Sequence, residues 1–303
     1  MNDFSRSRAE SEARRYVGVP GHTSRFGEAI NRYLGVSGYR DPYAGAVGFP
    51  VMSPSSLRTA SGLVVVGVDD SPISCVAVDH AAVEAAVHGW GLRVVAVRRG
   101  SGGDAGPALL RRLTDRVHAS APGVVVSARL AVGAVPAQTL LEEARGAALL
   151  VVGHRHGATS TALGRSVADR VGREHPGPVL VVRMPGWPVG AEFGRRPLVV
   201  AVDSSESSRV AVGFALAEAG SRVCDVTVLH VVGDRAGLVG RGEERGGVPV
   251  HHRVLSGDPA AVLVEESGRA AAVVIGRHGV GSVLSPAVRM LQERAYCPVF
   301  LVG

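Results

Sequence analysis

The chain has 303 residues and a formal net charge of +6, and all 33 of its basic residues are arginine. Without lysine it can use neither a Walker-type phosphate loop nor a Schiff-base lysine nor the lysine of a protein kinase. Its 46% hydrophobic and 4% aromatic content predicts cores of Val, Ala and Leu, and its length suffices for two domains.

No apolar run reaches the roughly 20 residues of a membrane helix, and the first thirty residues are polar and charged. We therefore expect a cytoplasmic protein without a membrane segment. Cys75, Cys224 and Cys297 are far apart and lack metal-type or redox-type spacing. This pattern predicts three small buried side chains.

Residues 1–61 are rich in Gly, Ser and Pro and show no sustained period, which predicts an irregular or disordered N-terminal arm. Residues 1–60 nevertheless hold four of the five tyrosines and eight arginines, with Arg beside Tyr at Arg15-Tyr16 and twice more. Such pairs suit stacking on RNA bases and contact with phosphates. The alternatives are an RNA or ribonucleoprotein partner, a protein partner, or docking of the rings on the protein's own domains.

A regular pattern begins at Leu63. Continuous apolar runs predict strands at residues 63–68, 93–97, 124–130, 149–152 and 178–182. The segments between these strands have apolar residues at helical spacing, which predicts helices. Alternating strands and helices predict that residues 62–184 form a domain of parallel βαβ units.

A linker, residues 185–196, leads to a second domain, residues 197–303, in which the pattern repeats. The segment 198–212 matches 64–78 residue for residue in position, with Asp203 over Asp69. The glycine-rich stretch 233–247 is predicted to have lost a helix. The fold class is therefore α/β, with two tandem Rossmann-like, doubly wound domains of five parallel strands each.

Short motifs mark both halves in the same order. They are Val68-Asp69-Asp70-Ser71, Val202-Asp203-Ser204-Ser205, Leu229-His230-Val231, Gly257 to Ala260 and Pro178 to Val181. With these motifs each half resembles a universal stress protein domain, and the whole resembles the tandem form found in actinobacteria. The resemblance covers residues 62–303. It implies a non-enzymatic stress-response protein whose nucleotide occupancy alters its partners.

ATP-binding members of that family wrap the phosphates in a G-x2-G-x9-G-[ST] loop. The resemblance implies adenosine contacts by Asp69 and Val97 in the first domain and by Asp203 and Val231 in the second. It implies phosphate contacts by Gly153, Gly157, Gly164 and Ser166 in the first domain and by Gly276 and Gly279 in the second. The expected ligand is ATP or another adenine nucleotide.

Both phosphate loops depart from the family pattern. In the first domain Gly157 comes one residue late and Arg165 separates Gly164 from Ser166. In the second domain Ser285-Pro286 replaces Gly-Ser, and proline supplies no N–H donor. We therefore expect nucleotide in the first domain before the second. The alternative is a nucleotide-free structural or interaction protein of the same fold.

Other residues have structural alternatives. Asp69 and Asp203 suit capping of the helix that follows each strand. Adjacent His251 and His252 point to opposite faces of a strand, which argues against shared metal ligation. The pairs Glu142-Glu143 and Glu265-Glu266 read as solvated helix faces. No nucleophile-base pair, metal cluster or acid pair stands on the predicted strand ends, so an enzyme is not expected.

The last strand of each domain is apolar, and the family resemblance places it at a sheet edge. An edge strand exposes unpaired backbone groups that must be covered. Pairing residues 178–182 with 298–302 would bury both edges and make the chain an intramolecular pseudo-dimer. Assembly into a homodimer is a further alternative.

Overall fold

The computed structural model describes residues 62–99, 105–154, 166–184, 196–203, 205–232, 239–277 and 285–303. The predicted N-terminal arm and residues 185–195 of the predicted linker lie outside this description. No helix within the described ranges is both long and apolar enough to cross a membrane.

The strands of the described residues join in one sheet of eleven. They are β1 (Leu63–Val68), β2 (Gly91–Arg98), β3 (Val126–Val132), β4 (Leu149–Gly153), β5 (Val179–Val182), β6 (Leu198–Val202), β7 (Val226–Val232), β8 (Val239–Arg245), β9 (Val248–Ser256), β10 (Ala272–Gly276) and β11 (Val299–Val302). The central strands are runs of Val, Leu, Ala and Ile that are buried on both faces, as expected beneath two layers of helices.

Helices cover both faces of this sheet. They are α1 (Pro72–His88), α2 (Ala105–Ser120), α3 (Pro136–Glu143), α4 (Val167–Glu174), α5 (Glu206–Arg222), α6 (Pro259–Ser267) and α7 (Ser285–Arg294). Helices α1, α2 and α5 share one apolar core with the sheet, and α3, α4, α6 and α7 share the other. Two of the cysteines, Cys224 and Cys297, are buried as predicted, while Cys75 is half-buried.

The first half of the sheet has the order β3-β2-β1-β4-β5, and all four of its pairings are parallel. The second half repeats this order in reverse, as β11-β10-β6-β7-β9, again in parallel. The α/β class and its alternation of strands and helices are therefore confirmed.

The second half has one strand more than the five that the sequence predicted. Where the first half places α2 between β2 and β3, residues 239–247 form β8 and a turn, and β8 pairs antiparallel with β9. Gly246 and Gly247 have φ values of 60° and 81°, the left-handed geometry of a tight hairpin turn. The predicted loss of a helix holds for residues 239–247, and an edge strand replaces it.

The predicted pairing of the last strands is confirmed. β5 runs antiparallel to β11, with Val299 opposite Val181, Phe300 opposite Leu180 and Leu301 opposite Val179. We call this β5–β11 pairing the seam. Every residue of both strands is buried, so the seam removes two sheet edges and joins the halves into one sheet.

Arginine side chains cross the seam on the face covered by α4 and α7. Arg183, just after β5, donates from Nη1 to the carbonyl of Ala295 at 3.0 Å. Arg277, just after β10, donates to the carbonyls of His175 and Gly177, the latter at 2.6 Å. Each half thus fills backbone acceptors near the end of a helix in the other half.

A group of buried charges crosses the seam on the opposite face, between α1 and α5. Arg222 donates to Glu84 Oε1 at 2.5 Å and to Glu218 Oε1 at 2.6 Å. His88 Nε2 lies 3.0 Å from Glu218 Oε2. We call these four residues the interface charge cluster. The Arg222 guanidinium also lies 5.4 Å from the ring centre of Phe300 in the seam.

Burial sets the protonation of the interface charge cluster. It raises the pKa of Glu84 to about 7, against the opposing attraction of Arg222. Burial by itself also raises the pKa of Glu218, but Arg222 and the bond to His88 outweigh it and hold that pKa at about 2. Burial lowers the pKa of His88, but the interactions with Glu218 and Glu84 together raise it by more, so the net shift is upward.

Charged substitutions in the seam should separate the halves. Val181 and Leu301 are each 1% exposed, and a carboxylate there would be buried without a partner. For Val181→Glu and Leu301→Glu we expect a larger radius of gyration in solution X-ray scattering, with secondary structure retained by circular dichroism. Val125→Glu, at a position 69% exposed, is the control. An unchanged scattering profile in both seam variants contradicts the assignment.

Glu84 should make stability depend on pH. Its pKa rises from 4.5 to about 7 on folding, so the folded protein holds a proton that the unfolded chain releases. The free energy of unfolding should therefore fall as pH rises through this window, by up to ~3 kcal/mol for this group. The raised pKa of His88 acts in the same direction, since its contribution is complete below 6.5 and is lost at higher pH.

Glu84→Gln keeps the shape but has no proton to release, so its stability should change less between about pH 5 and pH 8. Urea unfolding at a series of pH values measures this slope. Glu142→Gln, an exposed position on α3, serves as the matched control. Equal slopes in wild type and Glu84→Gln would rule out the proton on Glu84.

Candidate functional site

The predicted site of the first half lies at the carboxyl ends of three neighbouring strands. Asp69 follows β1 directly, Val97 is near the end of β2 and Gly153 ends β4. β1 pairs with β2 on one side and with β4 on the other, so topology brings these residues to one edge of the sheet. The helix after β1 and the helix after β4 pack on opposite faces, so this edge is the topological switch point of the first half, the kind of position at which doubly wound sheets bind ligands.

Asp69 organises the turn between β1 and α1. Its Oδ1 accepts from the Ser71 amide at 3.0 Å and from Ser74 Oγ at 3.0 Å. Ser74 Oγ also accepts from the Asp69 amide at 2.9 Å. A structural role for Asp69, which the sequence analysis gave as the alternative to ligand binding, is therefore directly supported. Asp69 stabilises the turn before α1, while the N-cap residue of α1 is Ser71. The Asp69 side chain is exposed, so these bonds leave room for a ligand beside it.

Asp203 holds the same turn in the second half. Its Oδ1 accepts from the Ser205 amide at 2.9 Å and from Ser208 Oγ at 2.7 Å. Ser205 caps α5 by accepting from the Ser208 amide. The duplication of the motif is thus a duplication of one β–α corner, with the same donors at the same spacing.

Gly153 and Gly276 are required by helix packing. A Cβ on Gly153 would lie 2.7 Å from the Ile73 side chain in the first turn of α1. A Cβ on Gly276 would lie 2.7 Å from the Ser207 side chain in the first turn of α5. Both contacts are closer than real side chains show, so glycine is needed at both strand ends whether or not phosphate approaches there.

Ser166 begins α4 as the N-cap of a capping box. Its Oγ accepts from the Asp169 amide at 3.1 Å, and the Asp169 carboxylate accepts from the Ser166 amide at 3.3 Å. His154 Nε2 lies 4.0 Å from Asp169 Oδ1. The helix therefore begins with its own carboxylate, which opposes a second anion at the same end.

The remaining predicted site residues are two strand valines and three loop glycines. Val97 and Val231 are half-buried and contact the core shared with α3, α4, α6 and α7. Gly157, Gly164 and Gly279 lie outside the described residues, so the course of the two loops stays a prediction.

Arg277 is a residue that the sequence did not single out. It directly follows Gly276, where the phosphate loop of the second half was predicted to begin, yet its guanidinium bonds carbonyls of the first half. Burial lowers its pKa to about 10. This cation is committed to the contact between halves, and nothing in the sequence pattern distinguishes it from a loop arginine.

A cavity of about 440 Å³ opens beside Asp203, on the face that α2 covers in the first half. Val202, Val228 and Val250 line it, and His230 is at its polar side. Burial lowers the pKa of His230, and nearby His252 adds to this effect. Residues 239–247 form β8 and a turn where the first half has α2, and the sequence analysis did not predict a cavity here.

Two side-chain predictions have different outcomes. His251 and His252 contact different carboxylates, Asp225 and Glu243, each at 2.9 Å, which agrees with their opposite orientations. Glu266, predicted to be solvated, is only 3% exposed and pairs with arginines from β9 and from the end of α6. The prediction for Glu266 was wrong, because the reach of Arg253 from a neighbouring strand is not visible in helix spacing.

Three known proteins are similar to this chain to different extents. A universal stress protein of Mycolicibacterium smegmatis is 33% identical over 193 residues, which are 55% of this chain and 65% of that protein. A crystal structure of a universal stress protein from Archaeoglobus fulgidus has a TM-score of 0.61 over 80% of this chain and 96% of its own, at 18% identity, a likeness of fold. A universal stress protein solved in complex with cAMP is 30% identical and covers 40% of this chain and 96% of its own, with a TM-score of 0.35.

The match spans less than two thirds of the M. smegmatis protein. The profile of the universal stress protein family matches residues 62–183 and 194–242, one segment in each half. These segments cover more than half of the chain and contain both β–α corners with their aspartates. The chain therefore belongs to the universal stress protein family.

Proposed function

We propose that this protein is a non-enzymatic cytoplasmic regulator that binds ATP or another adenine nucleotide, chiefly in the first half, and that occupancy changes what it binds. The observation that carries the proposal is the meeting of Asp69, Val97 and Gly153 at one edge of the sheet, where its topology switches. Ligands of doubly wound sheets bind at this kind of position, outside the carboxyl ends of strands where the topology switches.

The start of the helix after the fourth strand favours the first half, although the cavity described above lies in the second half. Helix α4 has N–H groups at Val167 and Ala168, beside the capping box of Ser166 and Asp169, whereas α7 has Pro286 at its second residue. Proline supplies no N–H, so the second half has fewer donors for phosphate. Arg277 is also turned away to the first half. These differences support unequal halves.

The second candidate function is a nucleotide-free interaction protein. It is favoured by one observation: the turn bonds of Asp69 and Asp203 and the packing at Gly153 and Gly276 account for these residues without a ligand. Mass analysis of small molecules released from the purified protein separates the two candidates. An adenine nucleotide in near-equal amount to protein would support the first.

Partners of the N-terminal arm belong to the same proposal. An RNA or ribonucleoprotein surface, a protein partner and self-docking remain the alternatives for residues 1–60, and a homodimer remains one for the folded part. RNA binding would weaken steeply with rising salt, whereas docking of aromatic rings would not.

The two halves should respond unequally to matched substitutions. Asp69→Asn and Asp203→Asn each keep a side-chain oxygen for the turn but remove the carboxylate charge. We expect Asp69→Asn to weaken ATP binding by roughly tenfold, the loss of one charge-assisted hydrogen bond. Asp203→Asn should have little effect. Calorimetric titration of the full chain with ATP measures both affinities. A larger loss of ATP affinity in Asp203→Asn than in Asp69→Asn would contradict the assignment to the first half.

Removing the carboxylate at the start of α4 should strengthen nucleotide binding. Asp169→Asn retains an acceptor for the Ser166 amide but removes a charge that repels phosphate. We expect ATP affinity to rise by about two- to fivefold at low salt, in line with the usual strength of such helix-end interactions. Glu174→Gln, at the other end of α4, is the control. If both variants behave alike, the phosphates do not lie at this helix end.

A further inference from the structure

Three members of the interface charge cluster lie close enough together to bind one metal ion. Glu84 and His88 are four residues apart on α1 and so share one helix face. Glu218 faces them from α5. One ligand atom from each of these three side chains lies within 4.8 Å of the other two. The three residues come from both halves of the chain.

Arg222 contacts one oxygen atom of each of the two carboxylates. It donates to Oε1 of Glu84 and to Oε1 of Glu218, which fixes both groups in place. Oε2 of Glu218 faces His88 Nε2 at 3.0 Å. Oε2 of Glu84 is fully buried and has no hydrogen-bond partner in the structure. A buried carboxylate oxygen without a donor is costly, so this oxygen needs either a proton of its own or a bound cation.

The charge balance points the same way. The single cation of Arg222 balances only one of the two buried carboxylates, so the second needs a proton, on Glu84 or on His88, or a bound cation. Glu84, Glu218 and Arg222 are each less than 5% exposed. Either a proton or a metal ion can supply the missing positive charge.

We propose that Glu84, His88 and Glu218 bind a divalent transition-metal ion, of which Zn²⁺ is the best match, across the junction of the two halves. One imidazole nitrogen and two carboxylate oxygens are ligands that Zn²⁺ accepts at about 2.0–2.2 Å, with a fourth position for water. Arg222 acts as the outer partner that orients both carboxylates. The His88 ring is held by stacking on Trp90, with ring centres 4.2 Å apart.

The site has a route to solvent and a structural consequence. The His88 side chain is 14% exposed, whereas the carboxylates are nearly closed off, so an ion would enter past the imidazole. Helix α1 belongs to the first half and α5 to the second. The bound ion would therefore link the two halves on the face of the sheet opposite to the arginine-carbonyl bonds. The proposal is independent of nucleotide binding, which concerns the strand ends.

The test uses the full chain, stripped with EDTA and then freed of chelator. Calorimetric titration with Zn²⁺ near neutral pH should show one ion per chain and a higher melting temperature. Glu84→Gln and His88→Gln should each weaken binding by roughly 100-fold or more, since each removes a ligand. His251→Gln is the matched control, because His251 pairs with a single carboxylate, Asp225, on the surface.

Co²⁺ gives a second readout that needs no variant to fold. The unmodified chain with one equivalent of Co²⁺ should develop the intense visible absorption of a four-coordinate ion, and Zn²⁺ should displace it. Absence of Zn²⁺ binding would show that a proton supplies the missing charge and would overturn the proposal. Zn²⁺ binding that survives both Glu84→Gln and His88→Gln would place the ion elsewhere and overturn it as well.

Discussion

The antiparallel contact between β5 and β11 is the constraint that the rest of the architecture follows. Each strand has four residues, all buried, and each would otherwise be the bare edge of its half. Phe300 points into one core and Leu301 into the other, so the seam extends both layers at once. Helices from different halves must then meet above and below it. Every contact between the halves has to fit the register that this pairing sets.

The two faces of the seam solve that requirement differently. On one face arginines donate to backbone carbonyls at helix ends, which satisfies acceptors that a helix leaves open. On the other face charged side chains are buried between α1 and α5. Such ion pairs add little net stability compared with apolar packing, but losing one partner strands a charge in the interior. Each of these charges therefore depends on the other half staying in place, since Arg222 is in the second half and Glu84 is in the first.

At the strand ends, the residues that suggest a ligand are also the residues that the fold needs. Asp69 and Asp203 bind the same two groups of their turns, and each of Gly153 and Gly276 admits the first turn of a neighbouring helix. A β–α corner of this kind would retain its aspartate and glycine without any nucleotide. The two halves differ instead at the start of the next helix, where the first has Ser166 and the second has Pro286.

The sequence by itself determined the α/β class and the repeat, because these follow from the apolar periodicity and its recurrence. It also indicated the missing helix at residues 239–247. The pairing of the last strands followed from the family resemblance, which placed both at sheet edges that had to be covered. The tertiary structure alone decided which polar groups meet. Glu84 and Arg222 are 138 residues apart, and Arg277 contacts carbonyls about a hundred residues away. Periodicity shows which face of a helix is apolar, but a buried charge looks like an interruption of that pattern until its partner is in place. The direction of Arg277 and the surroundings of Glu84 were set only when the two halves were packed together.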